Sequence, residues 1–396
     1  MAAFEYPLAS STWGEEELAA AEAVLRSGRH TMGENVRAFE SAFAEYLGSR
    51  HAVMVNSGSS ANLLAVAALC FRSAQRLGRG DEVVVPAVSW STTFFPLSQY
   101  GLKLKFVDVD RQTLNMDLEA LAAAISDRTR LIVAVNLLGN PNDFAAIRAL
   151  IAGRNILLME DNCEALGAEY EGRKAGTFGI VGTHSTFFSH HISTMEGGVI
   201  VTDDEELHHI MLSLRAHGWT RELPTRNLVC GVKGDDPFSE AFRFVLPGYN
   251  LRPLEISAAV GIRQLRKLPG FIAARRANAA EFGRLFRDHP LVTIQREVGT
   301  SSWFGFALLL REDIRMNRRT VVEALLRNGI ECRPVVAGNF VRSEAVSWLD
   351  HEVVGQLDNA DYVDTHGLYV GNHHFPISSQ LQKLQSVLNS CQGERT

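Results

Sequence analysis

Short apolar runs alternate with helix-patterned stretches over the first two thirds of the chain. Apolar runs at His51–Asn56, Glu82–Pro86, Leu104–Val109, Leu131–Asn136, Ile156–Asp161, Thr183–Phe188 and Gly198–Thr202 predict strands. Between several of them the spacing becomes helical, as at Ala61–Cys70, Leu118–Ile125 and Asp143–Ile151. Alternation of this kind predicts an α/β domain on a mostly parallel sheet, with ligands bound beyond the carboxyl ends of its strands. The stretch from His217 to Asn250 breaks the pattern, being polar, with Gly, Pro and Asp clusters and no clean period. A connection that long is usually functional or mobile. A helix is expected at Leu254–Leu268, stopping near Pro269-Gly270, followed by mixed runs such as Arg275–Phe286 and Trp303–Leu310. The pattern therefore predicts a large domain over residues 1–265 and a smaller α+β domain over 266–396.

Composition narrows the class. The chain has 396 residues, enough for a sizeable core, with 46% apolar and 21% charged positions. A net charge of −6 argues against a nucleic-acid partner, which calls for a basic footprint. Basic pairs such as Arg275-Arg276 and Arg318-Arg319 sit in helix-forming surroundings and read as solvated faces. The five cysteines, Cys70, Cys163, Cys230, Cys332 and Cys391, include no Cys-x-x-Cys pair, which fits reduced thiols in the cytoplasm. Neither a signal peptide nor an apolar run long enough for a bilayer is visible, so no membrane association is expected.

Four segments carry candidate chemistry. Asn56-Ser57-Gly58-Ser59-Ser60 follows a strand and opens a helix, a natural phosphate cradle, although a plain helix cap uses the same residues. Trp90 follows a second strand and offers a flat face to a heteroaromatic ring, or packs. Glu160-Asp161-Asn162-Cys163-Glu164 ends a very apolar strand, where a carboxylate needs a positive partner or caps the next helix. The fourth is Ser185-Thr-Phe-Phe-Ser-His190-His191-Ile-Ser-Thr-Met-Glu196-Gly197-Gly198. A lone histidine there could be a core residue, and a His-His pair a metal site, but no third ligand stands at fitting spacing, so no metal is expected.

In their order these segments resemble the DegT/DnrJ/EryC1/StrS family of sugar aminotransferases, which use pyridoxal phosphate (PLP). The resemblance runs from Tyr6-Pro-Leu-Ala-Ser-Ser-Thr12-Trp13 through Asp81–Pro86 and Gly248-Tyr249-Asn250-Leu251-Arg252 to Arg333-Pro334. It implies the fold type I, aspartate aminotransferase-like architecture, with a seven-stranded mostly parallel sheet, and a homodimer with shared active sites. It also implies that Asp161 pairs with the pyridine nitrogen and Trp90 stacks on the ring. Gly58, Ser59 and Ser185 would hold the phosphate, joined by Asn250 from the partner subunit.

Two positions depart from the aminotransferase pattern. His190 stands where the family carries the lysine that binds PLP as a Schiff base, and no lysine lies between Lys174 and Lys233. Glu164, which the resemblance also places against the cofactor, stands where most members carry Gln. Both departures resemble the sugar 3-dehydratase branch, and the Ser-His-His-Ile-Ser-Thr-Met-Glu-Gly-Gly run points to the part of it that handles a GDP-linked 4-keto-6-deoxymannose. An imidazole moves protons but cannot form the Schiff base. The resemblance therefore implies a dehydratase that works through the pyridoxamine form (PMP), with L-glutamate as amino donor. His190 would act as the base, the C3 hydroxyl would leave, and ammonia would be released. A related branch carries an iron–sulfur cluster on closely spaced cysteines, a spacing this chain lacks, so no cluster is expected. Tyr6, Arg221, Glu331 and Arg333 fall in segments that would meet the nucleotide sugar. The alternatives are an aminotransferase-like enzyme that uses His190 differently and a non-catalytic PLP-fold binding protein.

Overall fold

A computed structural model describes residues 4–313 and 316–393. Seven strands form the body of the main sheet: β1 (His51–Val55), β2 (Glu82–Pro86), β3 (Lys103–Val107), β4 (Thr129–Val135), β5 (Leu157–Asp161), β6 (Val181–Ser185) and β7 (Gly198–Thr202). Their spatial order is β1-β7-β6-β5-β4-β2-β3. An eighth strand from the C-terminal part of the chain, His351–Val353, adds in parallel to β3. Strand β7 runs antiparallel to both neighbours, and the other pairs are parallel. Most of these strands are buried along their whole length because helices cover both faces, which is why they read as continuous apolar runs.

The strands match their expected places, with one informative shift. Expected at Thr183–Phe188, the strand instead spans Val181–Ser185, leaving Phe187 and Phe188 exposed in the following loop. Its early start depends on Gly182, where a Cβ would lie 1.9 Å from the Gly176 carbonyl oxygen. Apolarity alone could not separate strand from loop at Phe187-Phe188.

The helix expected to stop near Pro269 does not stop. It runs from Glu255 to Phe286, through Pro269, and so crosses the position between residues 265 and 266. Proline removes one helical hydrogen bond and crowds the preceding turn. Burial on either side compensates: Leu265, Leu268 and Ile272 pack against Phe39, Phe43, Leu166 and Ile192. Beyond the helix, Val292–Ile294, Gly305–Leu310, Gly367–Gly371 and Cys332–Arg333 make a four-stranded antiparallel sheet over a second core around Phe282, Phe286 and Phe306. No helix among the described residues is long and apolar enough to cross a membrane.

Candidate active site

The carboxyl ends of β1, β2, β4, β5 and β6 converge on a cavity of about 340 Å³, closed on its far side by Phe304, Arg333, Pro334, Val336 and Tyr369. Helix Gly58–Phe71 begins at its edge. Ser57 caps that helix by accepting from the Ser60 amide at 3.0 Å, leaving the first amides turned toward the cavity mouth. Glycine is needed at position 58, since a Cβ there would come within 2.6 Å of the Ser185 Cβ. Ser59 donates to Thr92 Oγ1 at 3.0 Å. Trp90, at the start of helix Ser91–Gln99, lines the cavity while 57% exposed. An indole in that setting is available to cover something flat.

At the end of β5, Asp161 is nearly buried and held by three donors. Its Oδ2 accepts from Asn62 Nδ2 at 2.8 Å and Thr93 Oγ1 at 2.7 Å, and its Oδ1 accepts from the Cys163 amide at 3.2 Å. Asn62 cannot turn its amide round, because Thr183 Oγ1 already donates to its Oδ1 at 2.6 Å. Glu164 also lines the cavity, with Oε2 accepting from the Leu138 amide at 2.9 Å. Burial pushes its pKa up to about 7; the Leu138 amide works against that, and the Asp161 charge adds to it.

His190 sits on the cavity wall, in the loop after β6 rather than at the strand's last residue. Its amide donates to the Phe187 carbonyl at 2.9 Å, and its ring lies 5.1 Å from the Phe304 ring and 6.0 Å from that of Phe187. Its Nδ1 is buried without a hydrogen-bond partner. Burial, aided by the Arg275 charge, lowers its pKa to about 4, so the ring is neutral near pH 7. His191 points the other way: it is buried, and its Nε2 meets the Ser302 carbonyl at 3.1 Å. The Glu196-Gly197-Gly198 turn has a packing explanation. A Cβ on Gly197 would lie 2.3 Å from two threonine hydroxyls, and one on Gly198 would lie 2.2 Å from the Ser57 carbonyl.

The cavity thus gathers Gly58, Ser59, Trp90, Asp161, Glu164, Ser185, His190 and Arg333 from the sequence-derived candidates. The other four lie elsewhere in this subunit. Tyr6 is fully buried in the second core and donates to the Gly371 carbonyl at 2.6 Å, a packing position rather than a cavity one. Glu331 accepts from the Leu8 amide at 2.9 Å and pairs with Arg333 at 3.5 Å. Arg221 lies over the Trp219 ring at 4.0 Å, and Asn250 is exposed, accepting from Arg252 at 3.0 Å. Asn62 and Thr93, which fix Asp161, escaped the sequence reading. Asn62 left one signal, as an amide in the otherwise apolar helical run Ala61–Phe71. Phe304 and Tyr369 left none, because they reach the cavity only through the second sheet.

Residues 11–385 match the DegT/DnrJ/EryC1/StrS aminotransferase family. The chain belongs to that family. Among relatives, it is 56% identical over 384 residues to GDP-4-keto-6-deoxy-D-mannose 3-dehydratase of Yersinia pseudotuberculosis, covering 97% of this chain and 98% of that protein. Its fold is similar to the E. coli GDP-4-keto-6-deoxy-D-mannose-3-dehydratase solved with bound hydrated PLP, at TM-score 0.96 and 55% identity, covering 98% of this chain and all of that one. The same TM-score and identity relate it to a GDP-4-keto-6-deoxymannose-3-dehydratase structure with a trapped PLP–glutamate geminal diamine, covering 97% of this chain and 100% of that one. The family's architecture is the one seen here, a large α/β sheet with a smaller α+β unit.

The cavity fits such a cofactor. A phosphate would take the helix start, where Gly58 lets Ser185 pack close beside the first turn, and a protonated ring nitrogen would meet Asp161.

Proposed function

We propose that this protein is a PLP/PMP-dependent 3-dehydratase that removes the C3 hydroxyl of GDP-4-keto-6-deoxymannose, with L-glutamate supplying electrons and ammonia leaving. One observation carries the reading. The cavity holds the Asp161 carboxylate and the start of helix Gly58–Phe71, yet its reactive side chain is His190 and no lysine is among its described lining residues. When bound, PLP supplies an electron sink for a neighbouring carbanion and, in its amine form, the group that meets a ketone.

The remaining work falls to the chain. Asp161, fixed by Asn62 and Thr93, keeps the ring nitrogen positive. Gly58, Ser59 and Ser185 hold the phosphate, and Trp90 covers one face of the ring. His190 enters as a neutral imidazole able to take a proton and return it to a leaving hydroxyl. Having no primary amine, it leaves the product to depart by hydrolysis instead of transfer to an enzyme lysine. Arg333, on the same wall, suits the diphosphate of the substrate, with Glu331 beside it.

A homodimer completes the site in this reading. Asn250 and Arg221, in the segment from His217 to Asn250, do not line this subunit's own cavity. That segment exposes Phe238 by 83%, Phe242 by 64% and Phe244 by 58%, as a surface covered by a second copy would. There Asn250 would reach the partner's phosphate and Arg221 its nucleotide. The large part is placed at residues 1–265 and the small at 266–396, with the cavity between them. The free thiols of Cys70, Cys163, Cys230 and Cys332 suit the cytoplasm.

The test is the mass of the nucleotide sugar after incubation with PLP, L-glutamate and GDP-4-keto-6-deoxymannose. A product lighter by one oxygen, with free ammonia, is the expected result. A product with its ketone replaced by an amine would overturn the dehydratase reading in favour of amino transfer.

A further inference from the structure

Asp161 and Glu164 place two carboxyl groups on one cavity wall, three positions apart, on a mostly apolar floor. A carboxyl in such a space resists taking a charge, because burial and a neighbouring carboxylate both disfavour it. Their partners decide which of the two stays protonated. Asp161 has three donors, two of them side chains whose orientation is fixed from behind by Thr183 and Ser89. Glu164 has one, the Leu138 amide on Oε2. Its other charged and titratable surroundings offer no compensating cation at hydrogen-bond range. Asp161 and Cys163 lie on its own segment, Tyr369 faces it from the second sheet, and His190 on the neighbouring loop is neutral. Arg333, on the same wall, is paired with Glu331.

We infer that Glu164 is the proton-holding member of a carboxyl pair with Asp161. The cavity then presents its ligand with one fixed carboxylate and one carboxylic acid O–H that donates a hydrogen bond. The direction of the Glu164 shift agrees with this assignment. Tyr369 keeps its own proton, its pKa pushed up to about 12 chiefly by burial. With Oε2 engaged by the Leu138 amide, Oε1 is left to donate to an oxygen acceptor of whatever the cavity binds, so the pair would sort a ligand by sign, cationic toward Asp161 and oxygen-bearing toward Glu164. This assignment deepens the proposed reading of the site, but it is a property of the protein alone and can fail separately from it.

The experiment is infrared titration of the full-length protein without added cofactor, following the carboxylic acid carbonyl stretch from pH 5 to pH 9. The expected result is a band lost with a midpoint near 7 and absent in Glu164→Gln, which keeps an oxygen for the Leu138 amide. In Asp161→Asn the same band should move its midpoint down by about one unit or more, because the neighbouring charge is gone. Identical spectra for wild type and Glu164→Gln would overturn the inference, as would a midpoint indifferent to Asp161→Asn. Should Glu164→Gln fail to fold, the Asp161→Asn shift decides alone. One further variant, assayed with ligand beside Glu164→Gln, locates the acceptor. If it belongs to the cofactor, Glu164→Leu alters the visible band of bound PLP, and if it belongs to the sugar, only the substrate KM rises, with Glu164→Gln restoring either one.

Discussion

The cavity wall and the layer directly behind it contain nearly the same chemistry and put it to different uses. Glu160 and Asp161 are consecutive carboxyls at the end of one strand. Glu160 is fully buried behind the wall, where the amides of Gly176, Phe178 and Gly179 and the Asn136 side chain all donate to it. Asp161, pointing to the opposite face, lines the cavity. His190 and His191 repeat the contrast, one on the wall and the other tied to the Ser302 carbonyl. Residue type does not distinguish function here. What distinguishes it is whether the protein satisfies a polar group internally or leaves it capacity for a ligand.

Substitution within each pair should break the comparison cleanly. His190→Asn should lower the turnover of glutamate-loaded enzyme by about 100-fold or more, the ordinary worth of a positioned acid–base group, while its melting curve stays close to wild type. His191→Asn should show the opposite, with most of the turnover kept and about 1–2 kcal/mol of stability lost by urea unfolding, as the buried Ser302 contact weakens. Equal loss of turnover in both would mean that the two rings act as one unit.

The carboxyl pair comes next in size. Glu160→Ala removes the acceptor from three buried amides and should cost about 3 kcal/mol or more in denaturant unfolding. Asp161→Ala strands the buried Asn62 and Thr93 donors and should cost about 1–3 kcal/mol, and it should in addition weaken PLP binding, read from the absorbance of retained cofactor after dialysis.

The pH dependence sharpens the contrast between folded and unfolded chain. Burial lowers the pKa of His184 to about 3 and, with Arg275, that of His190 to about 4. The unfolded chain takes up these protons below about pH 6.5, while the folded one refuses them until much lower pH. Stability is therefore fully present above about 6.5 and is lost as pH falls toward 4. For fully buried His184 the loss between pH 7 and pH 5 is about 2 kcal/mol, which a melting series would register. A flat series over that range would show that the unfolded chain holds these rings in similar surroundings. The smallest effect is expected at exposed Trp90, where Trp90→Ala should weaken PLP retention by about 1 kcal/mol and leave the melting temperature unchanged.

Much of this molecule was legible before its structure. The seven apolar runs read as strands because strands covered on both faces, as most of these are, have no polar side to show. The glycine at 58, the carboxylate at 161 and the histidine at 190 share the cavity because each follows a strand, and strand ends converge. Pro269 misled because the signal was local while the outcome was not. One proline costs a helix about 3 kcal/mol, and burial of Leu265, Leu268 and Ile272 on its flanks is of comparable size. Tyr6 misled in a related way, since an aromatic ring with a hydroxyl is equally suited to a core and a ligand.

By itself, then, the sequence determined the sheet, the order of the chemical segments, the missing lysine and the family. The sheet follows from periodicity that each stretch carries locally, and the family and the missing lysine from the resemblance of motifs such as Ser185–Gly198 to a known pattern. Only the tertiary structure decided that Asn62 and Thr93 hold Asp161, that Phe304 and Tyr369 close the far wall, and that Glu164 is left with a single donor. Those outcomes depend on which backbone amides and side chains from other segments arrive beside a group, and that is set by packing between elements that are not neighbours in the chain.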